Sequence, residues 1–261
     1  MIRLLLAYFL FSLKKFIVYR INLLGQVISI IIPIAINCFL WNSIISHNEI
    51  SYSLPQMMIY IIIANFIFSF THISASEDLE ECIRSHKLGQ RLVRPVHFAH
   101  DILLQHLMYS LLKLLLVYGP LAGSVMLILG GQIDPSRVPL FLLTLFMAFS
   151  LNASLSFLIG FGSFWMTEIW GVAAIRNTLT GLLAGTMFPI SIFPAEVQSL
   201  FLHLPFPYMA YMPTKVLSDH HFDLAAVKYG LLVSAFWLVV LLSISVYMYK
   251  LGITRYTVKG A

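Results

Sequence analysis

Residues Ser74–His97 read SASEDLEECIRSHKLGQRLVRPVH and separate two long apolar runs. Eight of the chain's 27 charged residues fall in these 24 positions. The stretch reads as a short helix. Ser74 and Glu77 fit a capping box, in which each side chain satisfies an amide that the first turn leaves free. Glu77, Asp78, Glu80 and Glu81 crowd the electropositive start, and Arg84 and Lys87 sit near the electronegative end. Leu79 and Ile83, four apart, form a small apolar ridge. Gly89 stands where a helix-ending residue is expected. A solvated loop at a membrane border needs basic residues but not four acids. The acids therefore point to a contact surface for a partner.

The rest of the chain is largely hydrocarbon. Of 261 residues, 59% are apolar and 10% are charged. Soluble domains carry about a quarter charged residues, so this composition belongs in a bilayer. A helical span needs about 20 apolar residues. Six such runs fit, making residues 1–261 a single all-α membrane domain with six transmembrane helices. They cover about 21–45, 57–71, 98–129, 138–164, 169–187 and 225–249. Pro55 suits the first turn of the second span. Gly119-Pro120 predicts a kink in the third. Thr167-Glu168 is the short break before the fifth.

Two further segments stand out. Residues 1–20 are too interrupted by charge to span. At helical spacing Ile2, Leu5, Phe9, Leu13 and Phe16 share one face, with Arg3, Lys14 and Lys15 opposite. That pattern predicts a helix lying in the membrane interface. In residues 188–214, Pro189, Pro194, Pro205, Pro207 and Pro213 forbid one continuous helix. Val197–Leu204 is nonetheless apolar enough to enter the membrane. Two short helices that dip in from the outer side and return satisfy both facts, where protein or water meets the irregular backbone.

The distribution of Lys and Arg sets the orientation. With the N-terminus inside, the cytosolic segments hold eleven of these residues and the outer ones three, Arg137, Lys215 and Lys228. Both termini are predicted to be cytosolic. The formal charge of +5 comes without a basic stripe interleaved with aromatics, so it marks membrane borders and lipid rather than nucleic acid. Cys38 and Cys82 are too far apart in this topology to pair. Leu4–Phe11 is followed by Lys14 and Lys15 without a small-residue cleavage site, so no cleavable signal is expected.

Within the spans, Lys113 and Arg176 are candidates for a translocation path, because a charge in hydrocarbon is costly. Arg176 is also close enough to the border to snorkel. Gly181 and Gly185 form a GxxxG pair suited to close helix packing, as do Gly119 and Gly123. His97, His100 and His106 with Asp101 suggest a metal, but His106 falls off the helix face of the others, and no metal site is expected. No P-loop, HExxH or GxSxG occurs, so no catalytic residue is assigned.

Two motifs carry a resemblance. I-R-S-x-K-L-x-x-x-L-V-R-P-V, at Ile83–Val96, resembles the loop after the second span in permease subunits of type-2 ABC exporters, six-span subfamily. FPISIFPAEVQSLFLHLPFPYMAYMP, at Phe188–Pro213, resembles the segment before that subfamily's last span. His86 stands where the pattern usually has Gly. The resemblance implies a bacterial inner-membrane permease without catalytic activity and a coupling helix at about 77–88. Glu77, Asp78, Glu80, Glu81, Arg84 and Lys87 would dock a separate P-loop ATPase, present in two copies. It further implies a second permease, identical or paralogous, with the first and fifth spans flanking a central path. ATP and Mg would be bound by the ATPase, and no cofactor by this chain. Two other classes fit the composition. A lipid-modifying membrane enzyme would have to use His97, His100 and Asp101. An ATP-independent transporter would be expected to show internal repeats or more polar spans.

Overall fold

The computed structural model describes residues 2–18, 20–47, 53–85, 87–93, 97–121, 123–124, 134–218 and 223–256. Every regular element among them is helical. In chain order these are α1 (Ile2–Val18), α2 (Arg20–His47), α3 (Leu54–Thr71), α4 (Ala75–Arg84), α5 (Leu88–Leu92) and α6 (Phe98–Lys113). There follow α7 (Val138–Phe161), α8 (Trp170–Leu183), α9 (Ala195–Leu202), α10 (Tyr211–Ser218) and α11 (Leu224–Ile253). Helix starts fall at local signals. The Gln56 side chain accepts from the Ser53 amide at 3.1 Å, beside Pro55. The Asp223 carboxylate accepts from the Ala225 amide at 2.8 Å.

Four helical stretches among the described residues are long and apolar enough to cross a membrane: Leu54–Arg84, Phe98–Leu121, Pro135–Phe164 and Leu224–Ile253. The first of these bends at residues 72–74, where α3 gives way to α4. The expected first span lies within α2. The expected fifth is helical only over the 14 residues of α8. At 1.5 Å per residue that is about 21 Å, short of a hydrocarbon core of about 30 Å.

The N-terminal helix α1 packs along α6. The Tyr8 hydroxyl donates to Asp101 at 2.6 Å, and the Phe16 ring meets Tyr109 edge-on at 6.4 Å. Both pairs are 93 positions apart, so α1 and α6 run side by side in one direction.

The expected bend near Gly119-Pro120 takes the form of a π turn at Leu114–Tyr118, just before the dipeptide. Pro120 has no amide, and its ring would crowd the carbonyl four residues back. Widening the turn relieves this: the Gly119 amide donates to the Leu114 carbonyl, five residues back. A Cβ at Gly119 would stand 2.9 Å from that same oxygen. The helix then continues to Leu121; residues 125–133 lie outside the described residues.

At the centre of the bundle, α7 packs on α11, α4, α10 and α3. One stripe of it, Asn152, Ser156 and Gly160, recurs every four residues and meets the α3–α4 bend. The segment before α11 enters the same core. Thr71, the last residue of α3, donates to the Met209 carbonyl at 3.3 Å and accepts from Asn152 at 3.2 Å. The Trp237 indole donates to the His203 carbonyl at 2.8 Å. Burial falls on residues 189–190, 205, 207–214 and 216, whereas no residue of α9 is buried. The stretch packed most continuously into the core, 207–214, thus follows Val197–Leu204.

Candidate functional site

The helix α4 divides its surface sharply. Ala75, Ser76, Leu79, Cys82 and Ile83 are buried within the chain, while Glu77, Asp78, Glu81 and Arg84 are exposed. The predicted ridge of Leu79 and Ile83 thus faces inward. Leu79 fits against Gly160 of α7, so closely that a Cβ there would stand 2.6 Å from Leu79 Cδ1 and 3.0 Å from Ser76 Cα.

The cap expected from Ser74 is absent: its side chain makes no capping bond. The Ser156 hydroxyl takes over. It accepts from the Ser76 amide at 3.0 Å and donates to the Ile73 carbonyl at 3.2 Å, satisfying both sides of the bend. Gly89 also departs from expectation. α4 ends at Arg84, and Gly89 sits inside α5 instead of closing α4.

Of the six predicted docking residues, Glu77, Asp78, Glu81, Arg84 and Lys87 are exposed and Glu80 is partly buried. Glu77, Glu80, Glu81 and Arg84 join Glu168 and Trp170 around a shallow groove. Glu80 accepts from Arg84 at 3.2 Å and from the Ile169 amide at 3.3 Å. Arg84 approaches Glu168 to 3.9 Å, and Lys87 pairs with Glu81 at 3.1 Å. Such exposed pairs contribute little to stability; their use is to shape a charged surface. Glu168 and the 78%-exposed Trp170 were not singled out from the sequence. Their position in the break before α8 was visible, but not their approach to α4, nearly ninety residues earlier.

Asp78, though exposed, is engaged within the chain. It turns toward α6, where His106 Nε2 lies 2.8 Å from its carboxylate. Partial burial pushes this carboxyl up. The His106 hydrogen bond, with the positive charges of His106, Lys15 and Arg91, outweighs burial and holds it below its usual value.

The two intramembrane cations separate. Arg176 is only 5% exposed and lies in the bundle under the α3–α4 bend. It donates to Asn177 Oδ1 at 2.7 Å and reaches the Ile73 carbonyl at 3.5 Å. This places it in packing contact with α4's root. Lys113 lines a cavity between α1, α3 and α6, its ammonium 5.1 Å from the Tyr109 ring centroid and 5.9 Å from that of Tyr118.

The GxxxG pair does not form a helix face. α8 stops at Leu183, and Gly185 adopts φ +76°, a left-handed turn open to glycine. Three neighbouring side chains hold this turn. Tyr60 donates to the Gly185 carbonyl at 2.7 Å, Asn65 reaches that of Thr186 at 3.5 Å, and Trp41 donates to that of Met187 at 3.2 Å. Gly181 remains helical, with open space where a Cβ would be. Gly119 belongs to the π turn described above.

Among the described residues no group of three or more His, Cys, Asp or Glu is placed to hold a metal. His97 accepts from the Ala99 amide at 3.3 Å as the cap of α6. Asp101 is taken by Tyr8 and by Gln105 at 3.1 Å.

The chain matches a known family over nearly its whole length. The family model described as ABC-2 family transporter protein covers residues 5–260. The chain belongs to the ABC-2 transporter family. No curated protein matches it. As an ABC-2 permease it is a multi-pass membrane protein and the membrane subunit of an ABC transporter. Permeases of this family are generally non-catalytic, and membership implies an ATPase partner.

Proposed function

We propose that this permease exports a substrate across the bacterial cytoplasmic membrane by alternating access, driven by ATP hydrolysed on a separate subunit. Two permease chains, identical or paralogous, would stand over two ATPase copies that bind ATP and Mg. Both termini and α4 would face the cytosol. The six spans would be α2, α3, α6 with its continuation, α7, α8 with the turn after it, and α11. α2 and α8 would flank the path between the two permeases. The segment α9–α10 would dip in from the outside and cap that path; the bonds from Thr71 to Met209 and from Trp237 to His203 support this depth.

One observation carries the proposal. The α4 helix packs its apolar face on α7 and leaves Glu77, Glu81 and Arg84 outward, with Glu80 partly exposed between them. A helix docked this way presents charge to a partner and passes displacement to the bundle through Ser156 and Gly160. A ligand-driven change requires differential affinity for the two states, and closure of the ATPase on ATP supplies it.

The test is charge reversal. Glu80→Lys with Glu81→Lys is expected to leave the chain inserted while uncoupling ATP hydrolysis from transport, and normal transport by that variant would refute the docking assignment. Affinity purification of the tagged chain in mild detergent should bring down a stoichiometric P-loop ATPase. A second permease in the same preparation would distinguish a heteromeric pair from a homodimer.

A further inference from the structure

The cavity between α1, α3 and α6 has an excess of positive charge that the exporter reading does not use. Its volume is about 410 Å³, within the range of small-ligand sites. Lys15 of α1 and Lys113 of α6 both line it, and their ammonium groups lie 5.6 and 5.1 Å from the centroid of one ring, Tyr109. Among the described residues neither lysine has a carboxylate within 4 Å. The only acid in the lining, Asp78, is engaged with His106. His72 and the hydroxyls of Ser12, Ser69 and Ser110 complete the polar wall.

We propose that this cavity binds a phosphate monoester between Lys15 and Lys113. Two ammonium groups, imidazole and several hydroxyls suit a group with three or more acceptor oxygens. A carboxylate, with two, would leave donors unused. Charge-assisted hydrogen bonds make such a contact strong. The surroundings favour a lipid as its source: Phe11, at the rim on α1, is 55% exposed, so apolar surface adjoins the charged cavity. A headgroup phosphate would enter while its acyl chains lay against α1. Such a ligand would also rest beside the Asp78–His106 contact that joins α4 to α6. The binding proposal is independent of transport direction and of the docking assignment.

The test uses the full chain in nanodiscs of phosphatidylcholine doped with phosphatidic acid, followed by native mass spectrometry. The natural chain should retain phosphatidic acid. Lys15→Gln with Lys113→Gln should lose it, and Lys15→Arg with Lys113→Arg should keep it. Lys15→Gln alone, on an exposed position, gives a folded comparison if loss of Lys113 impairs folding, and it too should weaken retention. In a second arm, inorganic phosphate is added to the chain in pure phosphatidylcholine. Stabilisation of the natural chain but not the Gln variant, without lipid retention, would identify a soluble phosphate ester as the source. Equal lipid retention by the natural chain and the Gln variants, with no phosphate-dependent stabilisation, would overturn the proposal.

Discussion

Leu79 of α4 rests directly on Gly160 of α7, with no room between them for a methyl group. Gly160→Ala must therefore push α4 outward. Overpacking of this kind typically costs about 1–3 kcal/mol. A lowered melting temperature and weaker transport are expected. Adding Leu79→Ala should restore only part of the loss, because the Ser76 backbone also lies 3.0 Å from the new carbon. Thermal unfolding of the single and double variants in one detergent measures both effects.

Gly185 and Gly181 should respond in opposite ways. Gly185→Ala places a Cβ on a residue at φ +76° and 3.1 Å from both Tyr60 Oη and Tyr211 Cβ. The left-handed conformation alone costs an L-residue about 1–2 kcal/mol, so destabilisation is expected. Gly181→Ala meets open space and gains helix propensity, worth up to about 1 kcal/mol. The folded chain should tolerate it. A loss of permease pairing, read by cross-linking or size, would locate a subunit contact at Gly181.

Trp170 offers a test of docking that charge reversal does not. It is exposed beside Glu77 and Glu80, so Trp170→Ala should leave the melting temperature of the isolated chain unchanged. If the groove receives the ATPase, an aromatic anchor there contributes about 2 kcal/mol or more to binding. ATPase co-purification should fall accordingly, while Lys228→Ala, far along α11, should have no effect.

The Asp78 contact predicts a dependence on pH. Its carboxyl is held below the usual value in the folded chain, so its contribution is full above the unfolded value of about 4. It is lost as pH falls through the lowered folded value. The difference in melting temperature between the natural chain and Asp78→Asn should close on acidification below about pH 4. A difference that grows with acid would contradict the sign.

Some of this organisation was legible in the sequence and some was not, for physical reasons. The α4 helix was visible because Leu79 and Ile83 share a face and the charges are ordered along the axis. Its true cap was not, since the hydroxyl that fills the role belongs to Ser156, eighty residues on. The end of α8 was hidden likewise. Gly181 and Gly185 have helical spacing, but the turn is fixed by donors on α2 and α3. The prolines of 188–214 correctly marked broken helices, while composition alone chose Val197–Leu204 over the more deeply packed 207–216. Lys113 stood out as a charge in an apolar run; nothing local announced that Lys15 would share its tyrosine.

The π turn at Leu114–Tyr118 sets the azimuth of everything beyond it. In an uninterrupted α-helix, residues five apart point about 140° away from each other. A π turn closes on the fifth residue, which brings Tyr118 back toward the face of Lys113, and the ammonium of Lys113 lies 5.9 Å from the Tyr118 ring. The basic cavity is thus made by winding as much as by composition. Deleting Leu116 would keep every charged and aromatic side chain in the sequence yet swing Tyr118 out of the wall. In this helix the count of residues between two side chains is itself a functional element.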